Sequence, residues 1–193
     1  MILVVVIQVP VSMCEKKMAL CKIWVAEVER EPTILSAAIR SSLQVFGYDR
    51  MKPAQAEAVQ AILQGRHVFV NVPTGYGKSL VYQILPFCAS FILESMGKVT
   101  AAVPVVLIVS PLIALMQDQA HKLKRLPGAN PLLLSEEVAP EDGDMAGCGW
   151  THIFASPEAL LESRRWRKLL LSSDLMSSIV AVVIDEAHCI VKW

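Results

Sequence analysis

Apolar residues along this chain recur at helical spacing in its first third and then gather into short solid runs separated by helical stretches. Ile34, Leu35, Ala38, Ile39, Leu43 and Phe46 share one face of a helix that stops at Gly47, a natural C-cap. Pro53 suits the first turn of a second helix, which carries Ala56, Val59, Ile62 and Leu63 on one side and stops at Gly65. The runs that follow are 67–72, 105–109, 131–134, 152–155 and 179–184. Rich in Val and Ile and apolar on both faces, they predict strands of a parallel sheet covered by helices. Segments 78–96, 111–126 and 157–171 are the connecting helices, so the order is βαβ and the fold class is α/β. Segment 138–149, with Glu141, Asp142 and Asp144 among glycines, reads as a solvated connection, since its acidic residues lack EF-hand spacing.

Residues 1–32 stand apart as an apolar start followed by a mixed charged stretch, and they carry no recognisable chemistry. We read them as an N-terminal extension of unknown role, with one domain over 33–193. The start, 1–7, is about as long as the apolar part of a secretory leader, but no Lys or Arg precedes it and no small-x-small cleavage site follows. A spurious or variable extension is the preferred reading. No run approaches the roughly 20 apolar residues of a membrane span, despite 54% hydrophobic residues and a mean hydropathy of +0.47. Cys14, Cys21, Cys88, Cys148 and Cys189 form no CxxC pair, so neither a disulfide framework nor a zinc site is expected, and reduced thiols in an intracellular protein are. Eighteen basic against eighteen acidic residues leave zero net charge, so any site for a polyanion must be local.

One such site is written into 73–79, Pro-Thr-Gly-Tyr-Gly-Lys-Ser, between the first apolar run and its helix. Thr74, Gly75, Tyr76 and Gly77 can turn backbone N–H groups toward phosphate oxygens, and the helix start adds partial positive charge. Lys78 supplies a point charge for the β- and γ-phosphates, and the Ser79 hydroxyl can hold Mg²⁺. The Walker A template is met except at its first position, where Val72 replaces glycine. Run 179–184 ends in Asp185 and Glu186, at the sheet edge where open α/β folds bind ligands. Asp185 is the expected second metal-side group, and Glu186 the base that orients and deprotonates the attacking water.

Taken in order, these blocks resemble the RecQ-type DNA helicases of superfamily 2, from about residue 43 to the end. Phe46-Gly47-Tyr48 with Lys52-Pro53-Ala54-Gln55 is similar to the family's nucleotide-selecting motif, in which the glutamine reads adenine; Lys52 and Met51 stand where the family has Arg and Phe. Residues 73–79 resemble PTGGGKS with Tyr76 in place of glycine. Residues 109–119 are close to motif Ia, 156–158 to a later SPE block, and 185–193 to DEAHCIsxW, with Val191 for Ser. The resemblance implies a RecA-like lobe of P-loop NTPase type, ATP with Mg²⁺ as cofactor, and DNA, single-stranded or at duplex junctions, as partner. His188 then couples the nucleotide to DNA, and Trp193 belongs to an aromatic DNA-sensing loop.

Ser110-Pro111 and Ser156-Pro157 are expected to open helices, with serine as N-cap and proline first, offering N–H groups to DNA phosphates. Basic residues Lys122, Lys124, Arg125, Arg164, Arg165, Arg167 and Lys168 read mostly as solvated helix faces. The whole family member would be a 3′→5′ DNA helicase of repair and recombination, placed in the nucleus. Such a motor also needs a second lobe with an arginine finger worth roughly 10³–10⁵ in rate. The chain stops at Trp193, so the expectation is a fragment or truncated gene model limited to nucleotide binding. Two alternatives stand beside it: a DEAD/DEAH-type RNA helicase, and a nucleotide-binding interaction module without turnover.

Overall fold

The computed structural model describes residues 2–7, 25, 28, 31–98, 103–134 and 149–192. Helices α1 (Pro32–Val45) and α2 (Pro53–Leu63) precede strand β2 (Val68–Val72), with β1 (Ile2–Ile7) ahead of both. Then come α3 (Ser79–Gln83), α4 (Leu85–Ser95), β3 (Val105–Val109), α5 (Ile113–Leu123), β4 (Pro131–Leu134) and β5 (His152–Ala155). The chain continues through α6 (Pro157–Glu162), α7 (Arg164–Leu170), α8 (Ser173–Ser178), β6 (Ile179–Ile184) and a 3₁₀ turn, Ala187–Lys192.

Six strands form one sheet in the order β2-β1-β6-β3-β5-β4. The pairs β3 with β5, β3 with β6 and β4 with β5 are parallel. Alternation along β3 explains the layering: Val106 and Ile108 join the core under α1, α2, α4 and α5, while Val105, Leu107 and Val109 join the one beneath α6, α7 and α8. Each fully buried aliphatic side chain contributes about 1.5–3 kcal/mol of transfer free energy. The expected α/β class is therefore the observed architecture, with β6, β3, β5 and β4 forming its parallel, helix-clad part.

Several boundaries differ from the pattern. The segment set aside with residues 1–32 supplies a strand: Ile2–Ile7 pairs antiparallel with both β2 and β6, so a boundary at residue 32 does not separate it from the sheet. A run of Ile, Leu and Val has strong β propensity, and an unpaired edge of β6 beside it offers ready hydrogen bonds. Val28, in the same stretch, is buried in the core. Strand β2 lies at the end of the sheet order and is not covered on both faces; Phe69 is 62% exposed.

The helix expected over 78–96 is two pieces, because Pro86 brings no N–H and crowds the carbonyl one turn back. The helix expected over 157–171 breaks at Ser163, whose backbone is extended and whose hydroxyl accepts the Trp166 N–H at 3.3 Å, capping a new helix. Helix α8 has no counterpart in the sequence pattern. Of the expected 138–149 connection, only Gly149 is among the described residues. Cys88 is buried and Cys189 half-buried, both as free thiols, while Cys14, Cys21 and Cys148 lie outside the described residues. Burial pushes the Cys88 thiol up to about 12, which leaves it protonated and unreactive. Among the described residues no helix is long and apolar enough to cross a membrane.

Candidate nucleotide-binding site

The carboxyl ends of β2, β6, β3 and β5 lie at one edge of the sheet. Adjacent ends are stitched together: the Asp185 N–H donates to the Val109 carbonyl at 2.8 Å, and the Ser110 N–H to that of Ala155 at 3.1 Å. This edge brings together the phosphate loop, the Asp185-Glu186 pair and both Ser-Pro turns.

The loop between β2 and α3 needs its glycines. Gly75 and Gly77 have φ of 78° and 91°, a region that costs an L side chain about 1–2 kcal/mol. Gly77 is constrained twice, because a Cβ there would come within 2.8 Å of Gln55 Nε2. That close neighbour is the residue expected to read adenine. Gln55 Nε2 donates to the carbonyls of Gly77 (2.7 Å) and Tyr76 (3.4 Å), while its Oε1 accepts the Lys52 N–H at 2.8 Å at the start of α2. Gln55 thus clasps the phosphate loop, and adenine recognition by its amide would require exchange of these bonds.

Two of the departures from the family pattern, Lys52 and Tyr76, meet each other. Lys52 Nζ sits 4.6 Å from the centre of the Tyr76 ring and donates to the Tyr76 carbonyl at 2.9 Å. A cation over an aromatic face is worth about 0.5–1 kcal/mol at an exposed site. Phe46, Tyr48, Lys52, Gln55, Tyr76 and Gln83 line a cleft of about 520 Å³ over the loop, large enough for a nucleoside.

Asp185 and Glu186 are buried. Desolvation raises the Asp185 pKa; the Glu186 N–H that bonds Oδ1 at 3.0 Å, Lys78 and Tyr82 oppose it. Desolvation, then repulsion from Asp185, also raises Glu186, with Lys78 and His188 opposing. Lys78 therefore acts on both carboxylates. Glu186 holds φ = 56°, an uncommon conformation for a non-glycine residue and typical of a constrained functional turn. His188 Nδ1 is 3.3 Å from Glu186 Oε2, with its ring half exposed, so it links the acid to the surface.

Donor chemistry fits the expected metal. Ser79 and Asp185 offer a hydroxyl and a carboxylate, hard oxygen ligands suited to Mg²⁺, and Asp185 is a buried acid whose ionised form a cation would favour.

Ser156 caps α6 as expected, accepting the Ala159 N–H at 3.1 Å. Ser110 does not cap a helix. Its hydroxyl accepts the Leu112 N–H at 3.4 Å in a local turn, and α5 starts only at Ile113. Both serines are buried. Trp193 lies outside the described residues.

The sequence reading gave no role to Tyr82, Gln119 or His152. Tyr82 is fully buried, its phenol pushed up chiefly by desolvation, so it stays a protonated donor. Gln119 lies on the core face of α5 with Met116, Ala120 and Leu123, and a polar residue on that apolar stripe was the available signal. His152 is buried under Gln83, whose carbonyl is 2.9 Å from Nε2, and desolvation lowers its pKa to about 4.

Residues 52–193 match the family model described as DEAD/DEAH box helicase. The chain is similar to an ATP-dependent DNA helicase Q-like 5 of Arabidopsis thaliana, 37% identical over 156 residues, 77% of this chain and 15% of that protein. A probable ATP-dependent DNA helicase RecS of Bacillus subtilis (strain 168) is 33% identical over 153 residues, 78% of this chain and 27% of that protein. An ATP-dependent DNA helicase RecQ of Synechocystis sp. is 32% identical over 156 residues, 78% of this chain and 29% of that protein. This chain thus spans less than a third of the length of each.

Proposed function

The chain belongs to the DEAD/DEAH box helicase family, and from that premise we propose that it is the ATP-binding part of a RecQ-type, ATP-dependent 3′→5′ DNA helicase. The observation that carries this reading is the meeting, at one sheet edge, of the glycine-shaped loop before Lys78 and Ser79 with the buried Asp185-Glu186 pair. Names of similar proteins support DNA rather than RNA as the polymer.

Lys78 attracts the terminal phosphates, while the N–H groups of the loop and of the start of α3 orient them. Ser79 and Asp185 would hold Mg²⁺, which when bound neutralises charge on the phosphates. Glu186, whose pKa desolvation raises, orients the attacking water and takes its proton. Gln55 releases the loop carbonyls to read adenine, with Tyr48 and Lys52 at the cleft wall. His188 passes the state of Glu186 to bound DNA. Ser110, Pro111 and Ser156 form the DNA side of the same edge, and Trp193 is assigned to DNA by the family resemblance alone. A nuclear location accompanies that DNA substrate.

The test is nucleotide binding beside phosphate release. Lys78→Ala should weaken Mg-ATP binding at least about tenfold, and Glu186→Gln should bind like the wild type without turnover. Equal loss of binding in both variants would show that the roles are misassigned.

A further inference from the structure

Strands β2 and β6 carry the two halves of the site, yet they are not neighbours in the sheet. β1 lies between them, so about 9–10 Å separates their backbones and no ladder hydrogen bond joins them directly; the ladder ties them only through β1. A buried side-chain network spans that gap. Ser79 and Tyr82 are three residues apart on α3 and so share a face. The Tyr82 hydroxyl donates to Gln119 Oε1 at 2.6 Å and lies 3.3 Å from Asp185 Oδ2, and Gln119 Nε2 donates to Ser79 Oγ at 3.1 Å.

We infer that Tyr82 and Gln119 are positioning residues that set the separation and orientation of Ser79 and Asp185 for a nucleotide-bound divalent cation. The inference rests on the nucleotide reading above. The amide of Gln119 has one good orientation: its Oε1 faces two donors, Tyr82 Oη and, at 3.3 Å, Gln83 Nε2, leaving Nε2 for Ser79. Held this way, Ser79 keeps a lone pair free for the metal. Tyr82 has a single hydroxyl proton, shared between Gln119 Oε1 at 2.6 Å and Asp185 Oδ2 at 3.3 Å. Asp185 Oδ2 is the weaker acceptor of the two, so the bond orients the carboxylate toward Tyr82 and leaves its other lone pairs available to a metal. Mg²⁺ demands near-ideal octahedral geometry, so a loose pair of ligands would lose metal affinity before nucleotide affinity.

Tyr82→Phe removes one oxygen and keeps the ring, and Gln119→Met keeps length without the amide. The readouts are ATP affinity in excess EDTA, Mn²⁺ affinity of the ATP complex by electron paramagnetic resonance, and circular dichroism to confirm folding. The expected result is metal-free ATP binding within about twofold of wild type and Mn²⁺ binding weakened about tenfold, the loss of one hydrogen bond in the network. Using both variants keeps the test intact if one fails to fold. Unchanged Mn²⁺ affinity in a folded variant overturns the inference, as does an equal loss of metal-free ATP binding. If the wild-type chain shows no metal-dependent ATP binding, the nucleotide reading itself falls, an outcome distinct from a normal wild type with indifferent variants.

Discussion

The glycine loop before Lys78 and the carboxylate pair lie at one sheet edge but are built in opposite ways. The loop follows β2, at the end of the sheet, and its shape comes from local backbone: two glycines at positive φ, clasped from outside by Lys52 and Gln55. Asp185 and Glu186 follow β6, inside the sheet, and their character comes from burial, which raises the pKa of both acids. One half depends on conformation and the other on desolvation. Perturbing either should therefore leave different marks.

The largest expected effect is on the loop. Gly77→Ala forces a Cβ into a left-handed position and against the Gln55 amide, at a combined cost of about 2–3 kcal/mol to the binding-competent conformation. ATP affinity measured by fluorescence should drop by roughly 30-fold or more. Gly75→Ala, facing open space, should lose less; equal losses would mean the Gln55 contact is immaterial.

A middle-sized effect should test desolvation outside the carboxylate pair, at His152 in β5. His152, neutral in the fold with a pKa near 4, titrates near 6.5 when unfolded, so the unfolded chain binds more protons between these values. Its contribution is complete above about pH 6.5 and declines as the pH falls toward 4, by roughly 2 kcal/mol at pH 5. Urea unfolding at pH 7 and pH 5 should show this dependence in the wild type relative to His152→Gln. Parallel curves for the two proteins would contradict it.

The smallest effect lies at the rim. A double-mutant cycle of Lys52→Ala and Tyr76→Gly should give a coupling of about 0.5–1 kcal/mol in unfolding free energy, the value of their cation–π contact. Strict additivity would show that these two departures from the family pattern are independent.

The same contrast explains what the amino-acid pattern revealed. Loop residues were readable because Gly75, Gly77, Lys78 and Ser79 fall within one short segment, 75–79, and their chemistry is local. Strands β3 to β6 were readable because burial on both faces leaves unbroken apolar runs. The placement of Ile2–Ile7 was not, since a short apolar run carries no statement of which strands it will join. Nor was the link through Tyr82 and Gln119, whose partners are 37 and 103 residues distant from Tyr82 in the chain. Ser110 misled because a Ser-Pro pair fits a helix cap and a local turn equally well.

Calorimetric titration of ATP into the wild-type chain and its Lys78→Ala variant, each with Mg²⁺ and with excess EDTA, tests the central claim most directly. A single site is expected in the wild type, weakened about tenfold or more by chelation and again by loss of the lysine charge. Equal affinity in all four titrations would contradict the assignment of this sheet edge as a Mg-nucleotide site.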